Sequence, residues 1–407
     1  MPKRKRDILS SGSSILLANR HRRDDLDVLI SEYQRVCQLL VNICWDLEDV
    51  PPLLPLGITS QIQDSWFSAR MLQCCGKQAS GMVRSVRTKL RRAEKHREWL
   101  LGQHRSIKRV TAQIEKLRVA RPNISSIQPQ LSSQCFSIDR ENTTSFESWI
   151  TIHSIGNGMR IILPIRGTRH LDSLLERGGN ILNSIRISRR FIHLSLEMPE
   201  VPKREDGEVL GVDVGMTEMF HCSDGQVEMG DPHGWTLSKV MERMTRRRYG
   251  SKGFRRAQAH RESFINWSVK HLNLDGIRQL NVENLKNVRR GKVCSRKQKR
   301  WTYGSIIRGL ERFCTRSGVR VVRIDPALSS QRCNACGWTQ EGNRSGKRFS
   351  CGRCGNATDA DLNASLNLVT PLPVVSGEQW GQHRKGRGFF WCPIGQEPMV
   401  PDVQSAR

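Results

Sequence analysis

The sequence Cys333-Asn-Ala-Cys336 returns as Cys351-Gly-Arg-Cys354, and the chain then continues almost directly into Asp359-Ala-Asp361-Leu-Asn-Ala. Zinc prefers thiolate ligands in a tetrahedral arrangement, and two Cys-x₂-Cys pairs at this spacing can hold one ion. Four protein ligands leave no open coordination position, so the expected Zn²⁺ ion is structural and not catalytic. The alternative is that four unrelated thiols share this spacing by chance.

Two carboxylates upstream of the cysteines are candidate ligands for catalytic metal ions. Asp213 lies in the apolar strand sequence Gly-Val-Asp-Val-Gly, where a charge without a metal or a partner is costly. Glu283 follows the apolar segment 277–282, and strand ends are where α/β sheets place their site residues. Taken alone, Asp213 could instead cap a turn, and Glu283 could be an ordinary solvated glutamate.

Asp361 is the third candidate carboxylate. It opens a predicted helix that ends at Leu368, and the N-terminal dipole of a helix favours an anion. We interpret Asp359 as the helix cap and Asp361 as the metal ligand, although the sequence leaves both assignments open. Nucleases of the two-metal type need two or three carboxylates around a pair of Mg²⁺ ions. The order Asp213, Glu283, Asp361 therefore predicts a metal-dependent nuclease with two catalytic Mg²⁺ ions.

The chain is strongly basic along its whole length. Its 66 Lys and Arg residues against 39 Asp and Glu residues give a formal net charge of +27 over 407 residues. This predicts nucleic acid as the partner, because phosphate neutralisation with counterion release supplies most non-specific affinity. A membrane-surface protein or a ribosomal protein is the alternative from charge alone. The sequence has no apolar run long enough for a membrane span, no signal-peptide pattern and no disulfide framework, so we expect a cytoplasmic, nucleoid-associated protein.

Two basic segments are candidate nucleic-acid contacts. In the helical stretch 61–117, Glu94 and Glu98 offset only part of the positive charge. The second segment runs from Lys286 to Arg300, carries eight basic residues and no acid, and could guide a strand toward the metals. A solvated helix face and a disordered loop are the ordinary alternatives. The candidate contact residues are Arg84, Arg87, Arg91, Arg289, Arg290, Lys292, Arg296, Lys297, Lys299 and Arg300.

The patterns along the chain predict a multidomain α+β protein. Helical periodicity begins at Asp24, β-branched alternation begins near Pro122, and strands alternate with helices from Val209 onward. The predicted parts are a basic disordered arm without a strand (1–23), a helical lobe (24–121), a β-rich domain (122–205), an α/β domain in two parts (206–328 and 358–370), the zinc-binding insertion between them (329–357), and a tail without assignment (371–407).

Individual elements follow from the same periodicities. In the β-rich domain, the predicted strands are 134–138, 147–155, 159–164 and 190–198. In the α/β domain, we predict strands at 209–216, 277–282 and 319–324, a hairpin partner at 219–222, and a helix at 303–317.

These motifs resemble the split RuvC nuclease domain and zinc-finger insertion of TnpB-type transposon nucleases and of the compact type V CRISPR effectors. The likeness covers about residues 207–369, and it is carried by Gly-Val-Asp213-Val-Gly, Val-Glu283-Asn-Leu, Asp325-Pro-Ala-Leu-Ser-Ser-Gln-Arg-Cys333, the cysteine pairs and Asp359-Ala-Asp361-Leu-Asn-Ala. The resemblance implies an RNase-H-like fold with Asp213, Glu283 and Asp361 as the catalytic set. It also implies that the amino-terminal half forms a helical recognition lobe and a wedge β-barrel.

The function implied by this resemblance is RNA-guided DNA cleavage by Mg²⁺-dependent hydrolysis at a single RuvC site. Guide RNA and target DNA would be the partners of a monomer or a homodimer, with base pairing supplying sequence recognition. Three other functions remain open. They are an RNA-guided protein that blocks its targets without cutting, a transposase, and a zinc-ribbon nucleic-acid chaperone that leaves the carboxylates unused.

Overall fold

The computed structural model describes residues 7–139, 146, 148–285 and 302–397. The chain divides into two compact units after Glu200. Each unit mixes helices with β-sheets, which confirms the predicted multidomain α+β character. In the described part of the chain, no helix has the length and apolar character needed to cross a bilayer.

The first unit contains four helices in its amino-terminal part: α1 (Arg20–Asp46), α2 (Leu56–Thr59), α3 (Ala69–Gly102) and α4 (Lys108–Val119). The apolar residues that set the predicted helical period in α1, among them Leu26, Tyr33 and Leu40, are buried. The side chain of Asn19 caps α1 and that of Ser68 caps α3, each by accepting a backbone N–H bond.

Two β-sheets complete this unit. Its strands are β1 (Ile8–Ser14), β2 (Gln130–Ser132), β3 (Phe136–Asp139), β4 (Ser148–Ile152), β5 (Ile161–Ile165), β6 (Asn180–Ile187) and β7 (Phe191–Glu197), with helix α5 (Arg169–Glu176) after β5. The four-stranded sheet has the order β1-β7-β6-β2, and the three-stranded sheet has the order β3-β4-β5. Strands β3, β4, β5 and β7 confirm the predicted segments, whereas β2, β6 and α5 were not predicted.

The expectation of a disordered arm without a strand over residues 1–23 is wrong for its described part. Strand β1 pairs antiparallel with β7 along its whole length, and α1 already begins at Arg20. The buried positions of β1 are Ser11 and Ser13, which are 2% and 0% exposed. Because the buried positions of β1 are serines rather than apolar residues, the sequence shows no hydrophobic alternation that would predict a strand.

The second unit is built on a four-stranded sheet with the order β11-β10-β8-β9. Its strands are β8 (Glu208–Asp213), β9 (His221–Cys222), β10 (Ile277–Glu283) and β11 (Arg320–Ile324). Strand β10 is parallel to both β8 and β11, and β9 pairs antiparallel with β8 as the predicted hairpin partner. Helices α6 (Leu237–Thr245) and α7 (Lys252–Lys270) precede β10, and α8 (Tyr303–Arg316) precedes β11.

The cysteine-bearing segment and the tail form small sheets of their own. The elements are β12 (Trp338–Thr339), β13 (Arg344–Ser345), β14 (Arg348–Ser350), β15 (Ala357–Asp359), α9 (Ala360–Asn367), α10 (Gly377–Arg384) and β16 (Phe389–Phe390). Strands β13, β14 and β15 are joined in an antiparallel sheet. The tail, which had no predicted structure, folds back so that β16 pairs with β12.

Candidate metal centres and nucleic-acid surface

Asp213 and Glu283 are the last residues of the neighbouring parallel strands β8 and β10. The carboxyl ends of parallel strands meet at one edge of a sheet, which is where α/β folds place their sites. Residues before each carboxylate, such as Val212 and Val282, are fully buried. The strands are thereby fixed in the core while the two carboxylates emerge together at the edge.

Helix α9 brings Asp361 to the same edge. Asp359 caps the helix by accepting the backbone N–H bonds of Asp361 and Leu362, so its predicted role as the cap is confirmed. The buried Asn281 side chain donates to the carbonyl of Leu368 over 2.7 Å, which fixes the other end of the helix. Close approach to β8 requires Gly211, because a Cβ there would lie 2.0 Å from the carbonyl oxygen of Ser365.

The three predicted carboxylates line one cavity of about 600 Å³. Glu283 and Asp361 are each 8% exposed. Burial, followed by the charges of Glu283 and Asp361, raises the pKa of Asp213 to about 8. Burial also raises the pKa of Glu283, against a hydrogen bond from Ser329 and the charge of Arg344. The three carboxylates therefore lie close together, and the neighbouring basic groups do not fully offset the repulsion between them. A bound cation would relieve this repulsion.

Asp361 has a different electrostatic environment from the other two carboxylates. Its Oδ1 accepts a 2.8 Å hydrogen bond from Arg344 Nη2, and its Oδ2 accepts one from Lys347 Nζ. Burial raises the pKa of Asp361, but Lys347, Arg344 and His221 together outweigh it, and the pKa lies below its usual range. Asp361 is therefore the most readily ionised of the three.

Five further residues around this cavity were not predicted from the sequence: Glu218, His221, Ser329, Arg344 and Lys347. His221 pairs with Asp213 in the β-ladder, so the predicted hairpin could have identified it. One ligand atom each from Glu218, His221 and Asp361 lies within 4.8 Å of the others. Arg344 and Lys347 belong to the hairpin of β13 and β14, and only the folded structure shows that this hairpin reaches Asp361.

The donor atoms at this edge suit magnesium. Mg²⁺ prefers carboxylate oxygens and keeps several of its waters, so a few carboxylates beside an open cavity are sufficient. Asp213, Glu283 and Asp361 supply such oxygens, and the cavity leaves room for water and for a phosphate group. These residues could therefore hold the predicted ions.

The four cysteines of the two Cys-x₂-Cys pairs come together as the sequence predicts. Their sulfur atoms lie within 4.8 Å of one another. Cys333 Sγ is 3.7 Å from Cys354 Sγ, and Cys336 Sγ is 3.6 Å from Cys351 Sγ. These separations are too long for disulfides. They match the ~3.8 Å between sulfurs that a tetrahedron with ~2.3 Å Zn–S bonds requires, so the cluster can hold Zn²⁺.

The predicted basic contact residues on α3 differ in what their side chains do in the structure. Arg84 and Arg91 lie on exposed positions of α3. Arg87, between them, donates to the backbone carbonyls of Trp45 and Glu48 over 3.1 Å and 2.7 Å. It thus binds the chain that follows α1. The candidates Arg289, Arg290, Lys292, Arg296, Lys297, Lys299 and Arg300 lie outside the described residues.

We expect Arg84→Gln and Arg91→Gln to weaken nucleic-acid binding and to reduce the slope of log K against log salt by about 1 each, because each would remove one predicted phosphate contact. Arg87→Gln is the matched control. It should leave the slope nearly unchanged but lower the thermal stability, since it removes hydrogen bonds to carbonyls. Binding titrations at several salt concentrations measure the slopes. Equal slope changes in all three variants would contradict the expectation that Arg84 and Arg91 bind nucleic acid while Arg87 has a structural role.

Residues 303–368 match the protein family described as "Cas12f1-like, TNB domain". The CRISPR-associated endodeoxyribonuclease Cas12f1 of Sulfoacidibacillus thermotolerans is 34% identical over 209 residues, which are 50% of this chain and 47% of that protein. The protein of the same name from Syntrophomonas palmitatica is 31% identical over 105 residues, 26% of this chain and 20% of that protein. The matches confirm the predicted resemblance to compact type V effectors.

A solved structure supports the fold. The mini-RNA-guided endonuclease CRISPR-Cas_phi3 aligns with a TM-score of 0.53 at 10% identity, and the alignment covers 89% of this chain and 92% of that chain. At this identity the likeness concerns the fold alone. The aligned region spans slightly less than half the length of the Sulfoacidibacillus relative.

Proposed function

We propose that this protein is an RNA-guided DNA endonuclease with a single RNase-H-like, RuvC-type site. The observation that carries the proposal is the convergence of Asp213, Glu283 and Asp361 on one cavity, with the pKa of Asp213 raised to about 8 by burial and by the other two carboxylates. Buried carboxylates that repel one another at a sheet edge are typical of a metal-dependent catalytic site. The similarity to proteins named as endodeoxyribonucleases supports DNA as the substrate.

Each residue of the site has a chemical role in this proposal. When bound, two Mg²⁺ ions supply an activated water and stabilise the leaving oxygen of the phosphodiester. Asp213 and Glu283 would provide rigid ligand oxygens at the strand ends, and Asp361 would provide one from the first turn of α9. The Ser329 hydroxyl orients Glu283 by donating to Oε1 over 2.8 Å. Arg344 lines the same cavity as the carboxylates, so its guanidinium can bind a phosphate oxygen of the DNA strand.

The zinc ion has a structural role in the proposal. Cys333, Cys336, Cys351 and Cys354 would hold Zn²⁺ and join the two knuckle turns. Gly337 and Gly355 form these turns with positive φ angles of 78° and 73°, which glycine adopts without strain. The segment 329–357 is in this view an insertion between the two parts of the nuclease domain, residues 206–328 and 358–370.

Guide RNA and target DNA are the proposed partners, with residues 24–121 as the recognition lobe and 122–205 as the wedge domain. The net charge of +27 supports a polyanionic partner. Strand β1 belongs to the same sheet as β6 and β7, so we extend the wedge domain to include Ile8–Ser14. A DNA substrate would place the protein at the nucleoid.

The test is to express the protein with its native flanking DNA and to sequence the RNA that co-purifies with it. The complex is then incubated with guide-matched and mismatched duplex DNA, with and without Mg²⁺. We expect one discrete RNA and cleavage only of matched duplex in the presence of Mg²⁺. A discrete RNA without cleavage would instead support an RNA-guided protein that blocks its target. The absence of a discrete RNA would contradict any guided function.

A further inference from the structure

A buried chain of hydrogen bonds runs from Glu283 into the carboxyl-terminal tail. Ser329 Oγ donates to Glu283 Oε1 over 2.8 Å, and Asn367 Nδ2 donates to the carbonyl of Ser329 over 2.9 Å. Arg332 Nη1 donates to Asn367 Oδ1 over 2.5 Å. Arg332 Nε donates to the carbonyl of Trp391 over 2.6 Å. The guanidinium therefore connects the tail to the residues that orient Glu283.

The burial of these residues makes the bonds costly to lose. Ser329 is 3% exposed, Asn367 is 4% exposed and Arg332 is 8% exposed. In the described part of the chain, the hydrogen-bond acceptors of Arg332 are amide and backbone oxygens rather than carboxylates. A buried guanidinium without a paired carboxylate needs its directional bonds and a nearby negative charge.

The cysteine cluster would supply that negative charge when it holds Zn²⁺. Arg332 directly precedes Cys333 in the chain, and both its Nη2 and the Cys392 sulfur lie beside Gly337, the turn residue that follows Cys336. Four thiolates on one Zn²⁺ ion carry a net charge of about −2. The positive charge of Arg332 would thus balance the negative charge of the zinc-bound cluster. Its bond to Asn367 connects the cluster to the residues beside the nuclease edge.

The tail holds the Trp391 carbonyl in place. The backbone N–H of Trp391 donates to the carbonyl of Gly337 over 2.9 Å, and its indole Nε1 donates to the carbonyl of Pro373 over 3.0 Å. Strand β16 pairs with β12 immediately before this residue. Trp391 is 4% exposed and packs with the buried Val375 and Phe389. The Trp391 carbonyl oxygen, which accepts the bond from Arg332, is therefore held in place by backbone pairing, by the indole hydrogen bond and by packing.

We propose that Arg332 is a positioning residue for the nuclease site, and that the tail is a working part of that site because it fixes Arg332. This inference rests on the proposed function for its link to cleavage. Through Asn367 and Ser329, the position of the guanidinium sets the orientation of the Glu283 carboxylate. Loss of the bonds from Arg332 would leave Glu283 in place but less well oriented for a metal ion.

The test compares Arg332→Lys, Ser329→Ala and Trp391→Ala with the control Arg320→Lys, which changes an exposed arginine of the same unit. Lysine keeps the positive charge beside the thiolates but cannot form both directional bonds of the guanidinium. Zinc content is measured first. Calorimetry with Mg²⁺ alone then gives the metal affinity of the whole 407-residue chain, and cleavage is measured against Mg²⁺ concentration.

We expect Arg332→Lys to retain zinc and to weaken Mg²⁺ binding by about 10- to 100-fold, the usual effect of removing an outer hydrogen-bond partner of a metal ligand. Ser329→Ala and Trp391→Ala should shift the affinity in the same direction, and Arg320→Lys should not. Combining Arg332→Lys with Ser329→Ala should weaken binding by less than the product of the single effects, because both act on one carboxylate.

An unchanged Mg²⁺ affinity in Arg332→Lys would reduce the residue to a counter-charge for zinc and overturn the proposal. If that variant loses zinc or fails to fold, Ser329→Ala decides, and an unchanged affinity there would have the same meaning. An effect of Arg332→Lys without one of Trp391→Ala would remove the tail from the proposal. Weakened Mg²⁺ binding in a protein whose wild type cuts no guide-matched DNA would support the positioning role and contradict the proposed function.

Discussion

Asp361→Asn is expected to lower cleavage of guide-matched DNA by at least about 1,000-fold, equivalent to ~4 kcal/mol in the activation barrier, while RNA and DNA binding remain. The substitution keeps the size of the side chain but removes the charge. Among the three proposed ligands, Asp361 is the carboxylate whose pKa lies below its usual range, so it stays anionic over the widest pH range. Single-turnover cleavage with saturating guide and Mg²⁺ is the measurement.

Asp359→Ala is the matched control for this prediction. Asp359 accepts the first N–H bonds of α9 and is exposed, so its loss should cost about 1 kcal/mol of stability and leave most of the cleavage activity. The pair of variants decides which aspartate of the Asp-Ala-Asp sequence is the metal ligand. Loss of cleavage in Asp359→Ala together with near-normal cleavage in Asp361→Asn would reverse the assignment.

The candidate site could be predicted from the sequence where its chemistry restricts both the residue types and their spacing. The four cysteines and the three carboxylates could be predicted as groups that come together, because thiolates at fixed spacing and carboxylates at the ends of apolar strands are unusual combinations. His221, Ser329 and Arg344 were missed for the opposite reason. Each is an ordinary polar residue along the chain, and its place in the site comes from contacts between distant positions, such as the bond from Ser329 to Glu283, which are 46 residues apart.

The fold was predictable to a similar degree. Helix α1 and strands β8, β10 and β11 follow from their apolar periodicity. Strand β1 could not be found, because its inward positions are serines that depend on pairing with β7 for their burial. The tail is a comparable case. Its order comes from pairing with β12 and from three buried residues, Val375, Phe389 and Trp391, that are too widely spaced to show a period.

Cys351→Ser is expected to abolish stoichiometric zinc binding and to destabilise the cysteine-bearing segment and α9. Zinc binding contributes on the order of 10 kcal/mol to the folding of small zinc domains, and three thiolates with one hydroxyl bind the ion far more weakly. Cys351 follows β14 directly, and β14 pairs with β15 up to Asp359. We therefore expect new proteolytic cleavage within residues 333–359, a lower thermal midpoint and a loss of DNA cleavage.

The physical reason for the expected loss of DNA cleavage is that the proposed zinc site would anchor the hairpin that reaches the carboxylates. The turn between β13 and β14 carries Lys347, whose carbonyl accepts the backbone N–H of Ala360 over 2.9 Å at the start of α9. Without the zinc anchor, both the basic side chains of the hairpin and the position of Asp361 lose their support. Cys392→Ser is the matched control, since Cys392 lies beside the cluster but outside its four ligands. Full DNA cleavage by zinc-free Cys351→Ser would show that the cluster does not support the nuclease edge. Zinc loss in Cys392→Ser would contradict the assignment of the ligands to the other four cysteines.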